Sequence, residues 1–344
     1  MKNPFERIEQ KESGEFGNNV EIDVELARHG EKGSFNASRI ANPEKVVELA
    51  KGKDLSGYDV VAVRTTPIER AVHTGMKIEE GFESNDTFVM DDEKKKVNLR
   101  VRDLPTGVIS KEGVIVKKIM NESSESKDVN LISPQIRQAY KEATEKSASS
   151  SLKKENAGVA LWIKYLMDDL DYLKKIIDKT DGSKENSDKE ESIIKNFKDK
   201  QVKEDGISVL EVVLRMTEHF KKYVEASNRL KNDSKVFVYD VNHAGFIEPF
   251  LVYLLQDQIE EDPVCSDGSD ILEKMGGAFE PNEAVNISIK RKEKNGKVSI
   301  KFRLRGKEYD LDVEPDKNIF TKSGNLLKEI TIADVISGKR NGGN

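Results

Sequence analysis

Three short polar segments contain the residue types that phosphoryl transfer to a histidine requires. Arg28 and His29 stand together after the apolar end of a predicted strand, Arg70 lies in a second segment, and His243 lies in a third. A neutral imidazole can attack phosphorus through one ring nitrogen while the other donates to a backbone carbonyl. A guanidinium presents paired donors in a plane that matches phosphate oxygens. These residue types, in this order, indicate phosphoryl chemistry.

The elements that must position these segments are strands followed by helices. Residues 20–27 alternate apolar with acidic side chains, which predicts a strand with one acidic face. Residues 58–63 and 235–241 are more continuously apolar strands, each followed by a candidate helix beginning near Pro67 or Gly245. Repeated strand-helix units predict an α/β fold with a mainly parallel central sheet flanked by helices. The segments follow the carboxyl ends of these strands, where such a sheet gathers ligand-binding loops.

The three segments resemble the motifs of the histidine phosphatase superfamily, in its phosphoglycerate mutase-like branch. The family has Arg-His-Gly after its first strand, which residues 28–30 match. It has Ser-Ser/Asp-Pro-Leu-x-Arg-Ala-x-x-Thr after its second strand, and residues 65–74 read Thr-Thr-Pro-Ile-Glu-Arg-Ala-Val-His-Thr. A second histidine follows a late strand, as His243 does in Val-Asn-His-Ala-Gly. The resemblance covers about residues 20–110 and 206–305.

The resemblance implies a role for each matching residue. His29 would be the nucleophile that forms a phosphohistidine. Arg28, Arg70 and His243 would bind the phosphoryl group, because fixed cations must offset its negative charge before a nucleophile can approach. Asn36, one residue further from the first motif than the family's asparagine, would also contact the phosphate.

A general acid must protonate the leaving oxygen, and its position is less plainly marked. The acid phosphatase branch places an aspartate directly after the second histidine, where this chain has Ala244. The mutase-like branch instead places a glutamate in a Leu-Arg-Glu stretch followed four residues later by glycine, and Asp103 fits that spacing. We therefore predict Asp103 as the acid, with the less favoured alternatives Glu31, Glu80 and Glu248.

The remaining reactive residue types have simpler interpretations. His73 is expected to be a packing or surface residue, and His219 to lie on a solvated helix face among charged neighbours. Cys265 is the chain's single cysteine and is expected to be inert, since no basic residue lies near it in sequence. No paired Cys/His or clustered carboxylate pattern indicates a metal, and no cofactor is expected.

Composition excludes several classes of function. Lys and Arg number 57 against 63 Asp and Glu, a net charge of −6, so no broad attraction to nucleic acid or an anionic membrane is expected. The polar N-terminal stretch resembles no signal peptide, and no run of roughly 18 apolar residues occurs. These features, with one cysteine, predict a cytoplasmic protein in a reducing environment.

The chain's organisation suggests a core interrupted by an insertion. We expect the first part of the α/β core at residues 1–120, a charged helical insertion or cap at 121–205, the second part of the core at 206–335, and a flexible tail at 336–344. A helical stripe that includes Trp162 and Leu170 is expected to pack on the core or to form the cap. Asn295-Gly296 predicts a β-hairpin between residues 285–290 and 298–304, at a sheet edge.

Three functional hypotheses follow. The favoured one is a hydrolase of a phosphomonoester, carried by a small molecule or a protein, that acts through a phosphohistidine. The second is a phosphomutase of the same fold. The third is a non-catalytic phosphate-binding or scaffold protein that uses its insertion to bind a partner.

Overall fold

One mixed sheet forms the centre of the molecule. The computed structural model describes residues 16–33, 39–66, 69–85, 87, 107–109, 134–146, 151–180, 208–243, 245–259 and 268–313. The strands within these residues are β1 (Val20–Arg28), β2 (Val60–Thr65), β3 (Gly107–Ile109), β4 (Lys235–Asn242), β5 (Ala284–Arg291), β6 (Val298–Leu304) and β7 (Lys307–Val313). They form one sheet in the order β3-β2-β4-β1-β5-β6-β7.

Helices pack on both faces of this sheet. Those within the described residues are α1 (Pro43–Lys51), α2 (Glu69–Glu83), α3 (Pro134–Lys146), α4 (Ser151–Thr180), α5 (Val209–Ser227), α6 (Ile247–Ile259) and α7 (Gly268–Lys274). None of these helices has the combination of length and apolar character that crossing a membrane requires.

The three central strands are parallel, and their carboxyl ends lie side by side. β4 pairs with both β1 and β2 in parallel, so Asn242 lies opposite Arg28, and Val241 lies opposite Thr65. The outer strands pair antiparallel. The predicted α/β class and parallel centre are therefore confirmed, although most pairings of the whole sheet are antiparallel.

Two apolar clusters hold the layers together. The larger cluster joins one sheet face to α4, α5, α6 and α7, with fully buried side chains that include Ile22, Ile163 and Phe250. The smaller cluster joins α1 and α2 to the opposite face at β2 and β4, around Phe82 and Tyr239. Burial of such side chains is the main favourable contribution to folding. Burial of these side chains holds in place the strand ends that carry the polar segments.

The acidic face of β1 has a structural explanation. Helices α1 and α2 cover only one part of their sheet face, and the acidic side chains of β1 line a polar groove beside that part. Each acid has a partner there: Lys290 Nζ lies 2.7 Å from Glu21, and the Tyr58 hydroxyl donates to Asp23 at 2.7 Å. Lys53 pairs with Glu25 at 2.7 Å. A strand beside an uncovered face keeps a polar side, as in antiparallel sheets.

The C-terminal hairpin forms, but it does not lie at the edge of the sheet. β5 and β6 pair antiparallel through a loop in which Asn295 has a φ of 57°. β6 also pairs with β7, so β7 is the edge strand and the expectation of an edge hairpin is wrong. The turn before β7 consists of Arg305 and Gly306, both at positive φ, which suits a two-residue hairpin connection.

The described parts of residues 121–205 are the helices α3 and α4. Val159, Ile163 and Leu166 of α4 are fully buried in the same apolar cluster as the sheet. Trp162 belongs to this cluster, and Leu170 packs against it. For Trp162 and Leu170, the prediction that the stripe packs on the core is confirmed.

Candidate functional site

Two histidines meet at the carboxyl ends of β1 and β4. His29 is buried, and its Nδ1 lies 2.8 Å from the carbonyl oxygen of Gly30. Its Nε2 lies 3.0 Å from Nδ1 of His243, and the two rings are nearly perpendicular. The expected contact between one ring nitrogen of His29 and a backbone carbonyl is therefore present.

These contacts fix where the ring protons lie. A carbonyl oxygen only accepts, so His29 carries its proton on Nδ1 and keeps a lone pair on Nε2. The hydrogen bond between the rings then requires the proton of His243 on Nδ1. His243 Nε2 is left without a proton, and it is buried with no partner among the described residues.

Burial keeps both rings neutral. Burial, together with the nearby guanidinium groups of Arg70 and Arg28, lowers the pKa of His29 from 6.5 to about 4, although the hydrogen bond to Gly30 acts in the opposite direction. Burial also holds the pKa of His243 well below its usual range, with contributions from His29 and the same arginines. A neutral ring is the form of histidine that can act as a nucleophile.

The guanidinium of Arg28 is held by a carboxylate from α4. Both terminal nitrogens of Arg28 bond to Glu155, with Nη1 2.9 Å from Oε2. Nη1 also donates to the carbonyl oxygen of Phe279. Nε of Arg28 is buried without a partner in the described part of the chain. The two terminal nitrogens of Arg28, which could bind a phosphate, are thus bonded to Glu155, a residue that the sequence analysis did not identify.

Arg70 supplies a second cation from the first turn of α2. Its side chain is partly buried, and burial together with the charge of Arg28 lowers its pKa, while Glu155 acts in the opposite direction. Among the described residues we find no hydrogen bond or ion pair to its guanidinium. Within the part of the chain that the structure describes, Arg70 is therefore the cation of this site without a bound partner, and it can bind an incoming anion.

Thr74 connects the loop of His29 to the turn that carries Arg70. Its hydroxyl accepts a hydrogen bond from the backbone N–H of Gly30 at 2.9 Å and donates to the carbonyl oxygen of Arg70 at 2.8 Å. Thr74 is buried, so these are contacts that water does not replace. The threonine of the second motif thus has a positioning role.

Glu248 supports the backbone around the site. It is completely buried, and its two oxygens accept hydrogen bonds from the backbone N–H groups of Gly245 and Phe279, each at 2.8 Å. Burial raises its pKa, whereas these N–H groups and Arg28 lower it. Glu248 joins the loop after β4 to the segment whose carbonyl holds Arg28.

A buried ion pair lies behind the strand ends. Arg64 of β2 and Asp240 of β4 are register partners, and Nη1 of Arg64 bonds to both oxygens of Asp240 at 3.0 and 2.7 Å. The Tyr223 hydroxyl of α5 donates to the same carboxylate at 3.0 Å. This triad fixes the two strands that lead into Arg70 and His243.

Aromatic side chains from α3 and α4 line one side of the site. The ring of Trp162 lies 5.0 Å from Phe246 and 5.3 Å from Tyr140, between centroids. Phe246 in turn lies 6.2 Å from His243. Burial, with the charges of Glu155 and Glu248, raises the pKa of Tyr140 to about 12. The segment expected to be an insertion therefore contributes directly to this site.

The other candidate residues fall elsewhere. Glu31 and Glu80 are exposed. His73 accepts a hydrogen bond from the backbone N–H of Ile40 at 3.1 Å, which is a structural contact. Several predicted features lie outside the described residues: Asn36, Asp103, Cys265, the side chain of His219 and the tail at 336–344.

The arrangement brings four predicted residues, His29, Arg28, Arg70 and His243, into one cluster. Two guanidinium groups lie near a pair of neutral rings, and one of these groups, Arg28, is paired with a carboxylate. No cluster of three or more metal-ligating side chains occurs within the part of the chain that the structure describes. Comparison with known protein families and with curated proteins finds no match to this chain.

Proposed function

We propose that this protein is a phosphomonoester hydrolase of the histidine phosphatase type, acting through a phosphohistidine on His29. The observation that carries the proposal is the meeting of His29, Arg28, Arg70 and His243, which come from three separate segments of the chain. A chance match to one motif would place a single arginine or histidine on the protein surface, without the other three side chains around it.

The first step uses the protonation states given by the hydrogen bonds. The phosphoryl group binds against Arg70 and Arg28 and comes between the two imidazole rings. The Nδ1–H of His243 then donates to a phosphoryl oxygen in place of His29 Nε2. The freed lone pair of His29 attacks phosphorus, the ester P–O bond breaks, and the leaving oxygen takes a proton from an acid.

The second step restores the protein. Water attacks the phosphohistidine, the N–P bond breaks, and inorganic phosphate leaves. The arginines offset the charge on the phosphoryl oxygens in both steps, and this is the largest contribution that such a site can make. Asp103 remains the acid that the family resemblance predicts. The phosphomonoester, on a small molecule or a protein, and a cytoplasmic location also remain predictions.

Phosphate release from a panel of phosphomonoesters, with trapping of an acid-labile phosphoryl group, tests this function. We expect turnover by the unaltered protein and a phosphoryl group that maps to His29. His29→Ala should abolish turnover and labelling. The control His219→Ala, which replaces a histidine of α5, should preserve turnover and labelling. An active His29→Ala protein would overturn the mechanism. Phosphate binding without turnover by the unaltered protein would overturn the hydrolase.

A further inference from the structure

The ion pair between Glu155 and Arg28 places a carboxylate beside a cation of the candidate site. We propose that Glu155 is the proton donor of this site, and that its pairing with Arg28 is a resting state that the substrate phosphate displaces. This inference depends on the proposed hydrolase function. It assigns a catalytic role to the segment between the two halves of the core.

Of the carboxylates Glu155 and Glu248, Glu155 is the one suited to exchange protons. Glu248 also lies near Arg28, but it is fully buried and both its oxygens are bonded to backbone N–H groups. The side chain of Glu155 is 27% exposed, and its contacts in the described part of the chain are with the Arg28 guanidinium. Glu155 can therefore take a proton from solvent, and Glu248 cannot reach solvent.

Substrate binding would change the charge environment of Glu155. Carboxylate and phosphate bind a guanidinium fork in the same paired geometry, so a phosphate drawn in by Arg70 competes with Glu155 for Arg28. Glu155 then loses its cation and gains a neighbouring anion. The displaced carboxyl group is then available for proton transfer.

The proton and electron pairs balance over the cycle. The lone pair of His29 Nε2 forms the N–P bond, the P–O bond breaks, and protonated Glu155 gives its proton to the leaving oxygen, which departs as an alcohol. The Glu155 carboxylate next accepts a proton from the water that attacks the phosphohistidine. Phosphate leaves, the N–P bond electrons return to His29, and Glu155 releases the proton and pairs again with Arg28.

Contacts hold the helix immediately after Glu155 against the rest of the protein. The neighbouring Asn156 accepts a hydrogen bond from the backbone N–H of Ala278 at 2.9 Å. Further along α4, the helix packs so closely on Gly268 that a Cβ there would lie 2.2 Å from the carbonyl oxygen of Ala160. These contacts keep the first turns of α4 against the loop that holds Arg28.

The test compares Glu155→Gln with Asp168→Asn, an exposed acid on the same helix. Two substrates are used: 4-nitrophenyl phosphate, whose leaving group needs little protonation, and glycerol phosphate, whose alkoxide needs a proton. Loss of a positioned acid costs ~10²–10⁴-fold in rate. We expect Glu155→Gln to lose rate by this factor on glycerol phosphate. The rate at which 4-nitrophenyl phosphate phosphorylates His29 should fall by less than about tenfold. Asp168→Asn should match the unaltered protein on both.

Other outcomes overturn the inference. An equal loss of rate on both substrates would show that Glu155 only positions other groups. A gain of rate on both would show that Glu155 only competes with phosphate for Arg28. If Asp103→Asn shows the leaving-group dependence and Glu155→Gln does not, the acid is Asp103. Thermal unfolding checks that each variant is folded, and Glu155→Asp should recover part of the lost activity because it restores an acid.

Trapping of the phosphohistidine separates this inference from the proposed function. Glu155→Gln, mixed rapidly with 4-nitrophenyl phosphate, should accumulate acid-labile phosphate on His29, because the variant lacks the group that activates water. Labelling of the unaltered protein without accumulation in the variant contradicts only the role of Glu155. Absence of label in both proteins contradicts the hydrolase function itself.

Discussion

His29 Nε2 and His243 Nδ1 share a hydrogen bond of 3.0 Å, although 214 residues separate them in the chain. The bond depends on the parallel pairing of β1 with β4, which places Arg28 opposite Asn242 and brings the residue after each strand together. It also fixes the lone pair of His29 on Nε2. The nucleophilic atom is thus defined by tertiary structure.

The low pKa of His29 should appear in the pH dependence of kcat/KM. Protonation of Nε2 removes the nucleophile, and with a pKa of about 4 this occurs only in strongly acidic solution. We expect the acid limb for 4-nitrophenyl phosphate near pH 4, after correction for ionisation of the substrate. Rates measured from pH 3 to 8 check this. A limb near the ordinary histidine value of 6.5 would show that the ring is solvated.

Arg70 should contribute more to activity than any exposed arginine. Its guanidinium has no partner in the described residues, so it is available to bind phosphoryl oxygens. Arg70→Ala should lower kcat/KM by about 10²–10³-fold, as expected for loss of one preorganised donor. Arg70→Lys should recover part of this, since an ammonium keeps the charge but not the fork. Arg229→Ala, at an exposed position, should have little effect.

Removal of the Thr74 hydroxyl should destabilise the loop of His29. Thr74→Val has nearly the same shape but leaves the buried N–H of Gly30 without its acceptor. We expect a loss of about 1–3 kcal/mol in the free energy of unfolding. Denaturation by urea measures it, and Thr74→Ser, which keeps the hydroxyl, is the control. Equal stability of the valine and serine variants would exclude this role.

The buried pair of Arg64 and Asp240 should be costly to break. Asp240→Asn removes the buried carboxylate that pairs with Arg64, for which we expect a loss of about 3–5 kcal/mol in unfolding free energy. Tyr223→Phe removes the hydroxyl that donates to the same carboxylate but keeps the ion pair, and it should cost about 1 kcal/mol. Equal stability of the two variants would show that the ion pair does not stabilise the pairing of β2 with β4.

Folding stability should fall as the solution becomes acidic. The folded-state pKa values of His29 and His243 lie below 6.5, so between pH 6.5 and about 4 the unfolded chain binds protons that the folded chain does not. Each group then removes up to about 1.4 kcal/mol per pH unit. Above pH 6.5 both rings are neutral in either state and this contribution vanishes.

The double variant His29→Asn/His243→Asn isolates this effect. Its unfolding free energy should fall less steeply over the same pH range than that of the unaltered protein. The raised pKa of Glu248 acts in the opposite direction, because the folded state then binds the extra proton, but it is common to both proteins. Parallel curves for the two proteins would contradict the burial of the histidines.

Much of the fold could be predicted because its signals are local. Alternation of apolar and acidic residues marks β1, apolar runs mark β2 and β4, and Asn295-Gly296 marks the hairpin. β7 was missed although Arg305-Gly306 and the alternation of Tyr309 and Leu311 are present in the sequence. Whether such a short alternating segment pairs depends on an available neighbouring edge, and β6 provides it only in the folded sheet.

The site residues also divide into those that local sequence signals predict and those that depend on the folded structure. Arg28, His29, Arg70 and His243 could be chosen from residue type and order, because phosphoryl chemistry restricts both. Glu155 could not, since it lies 127 residues from Arg28 and resembles many other helical glutamates in its sequence surroundings.

The sequence by itself determined which side chains are available and which strand ends would carry them, because residue chemistry and hydrophobic periodicity act over short distances. Only the tertiary structure decided the charge state of His29 and the partner of Arg28. Both depend on burial and on contacts between distant segments, since a pKa responds to the removal of water and to charges brought near by folding.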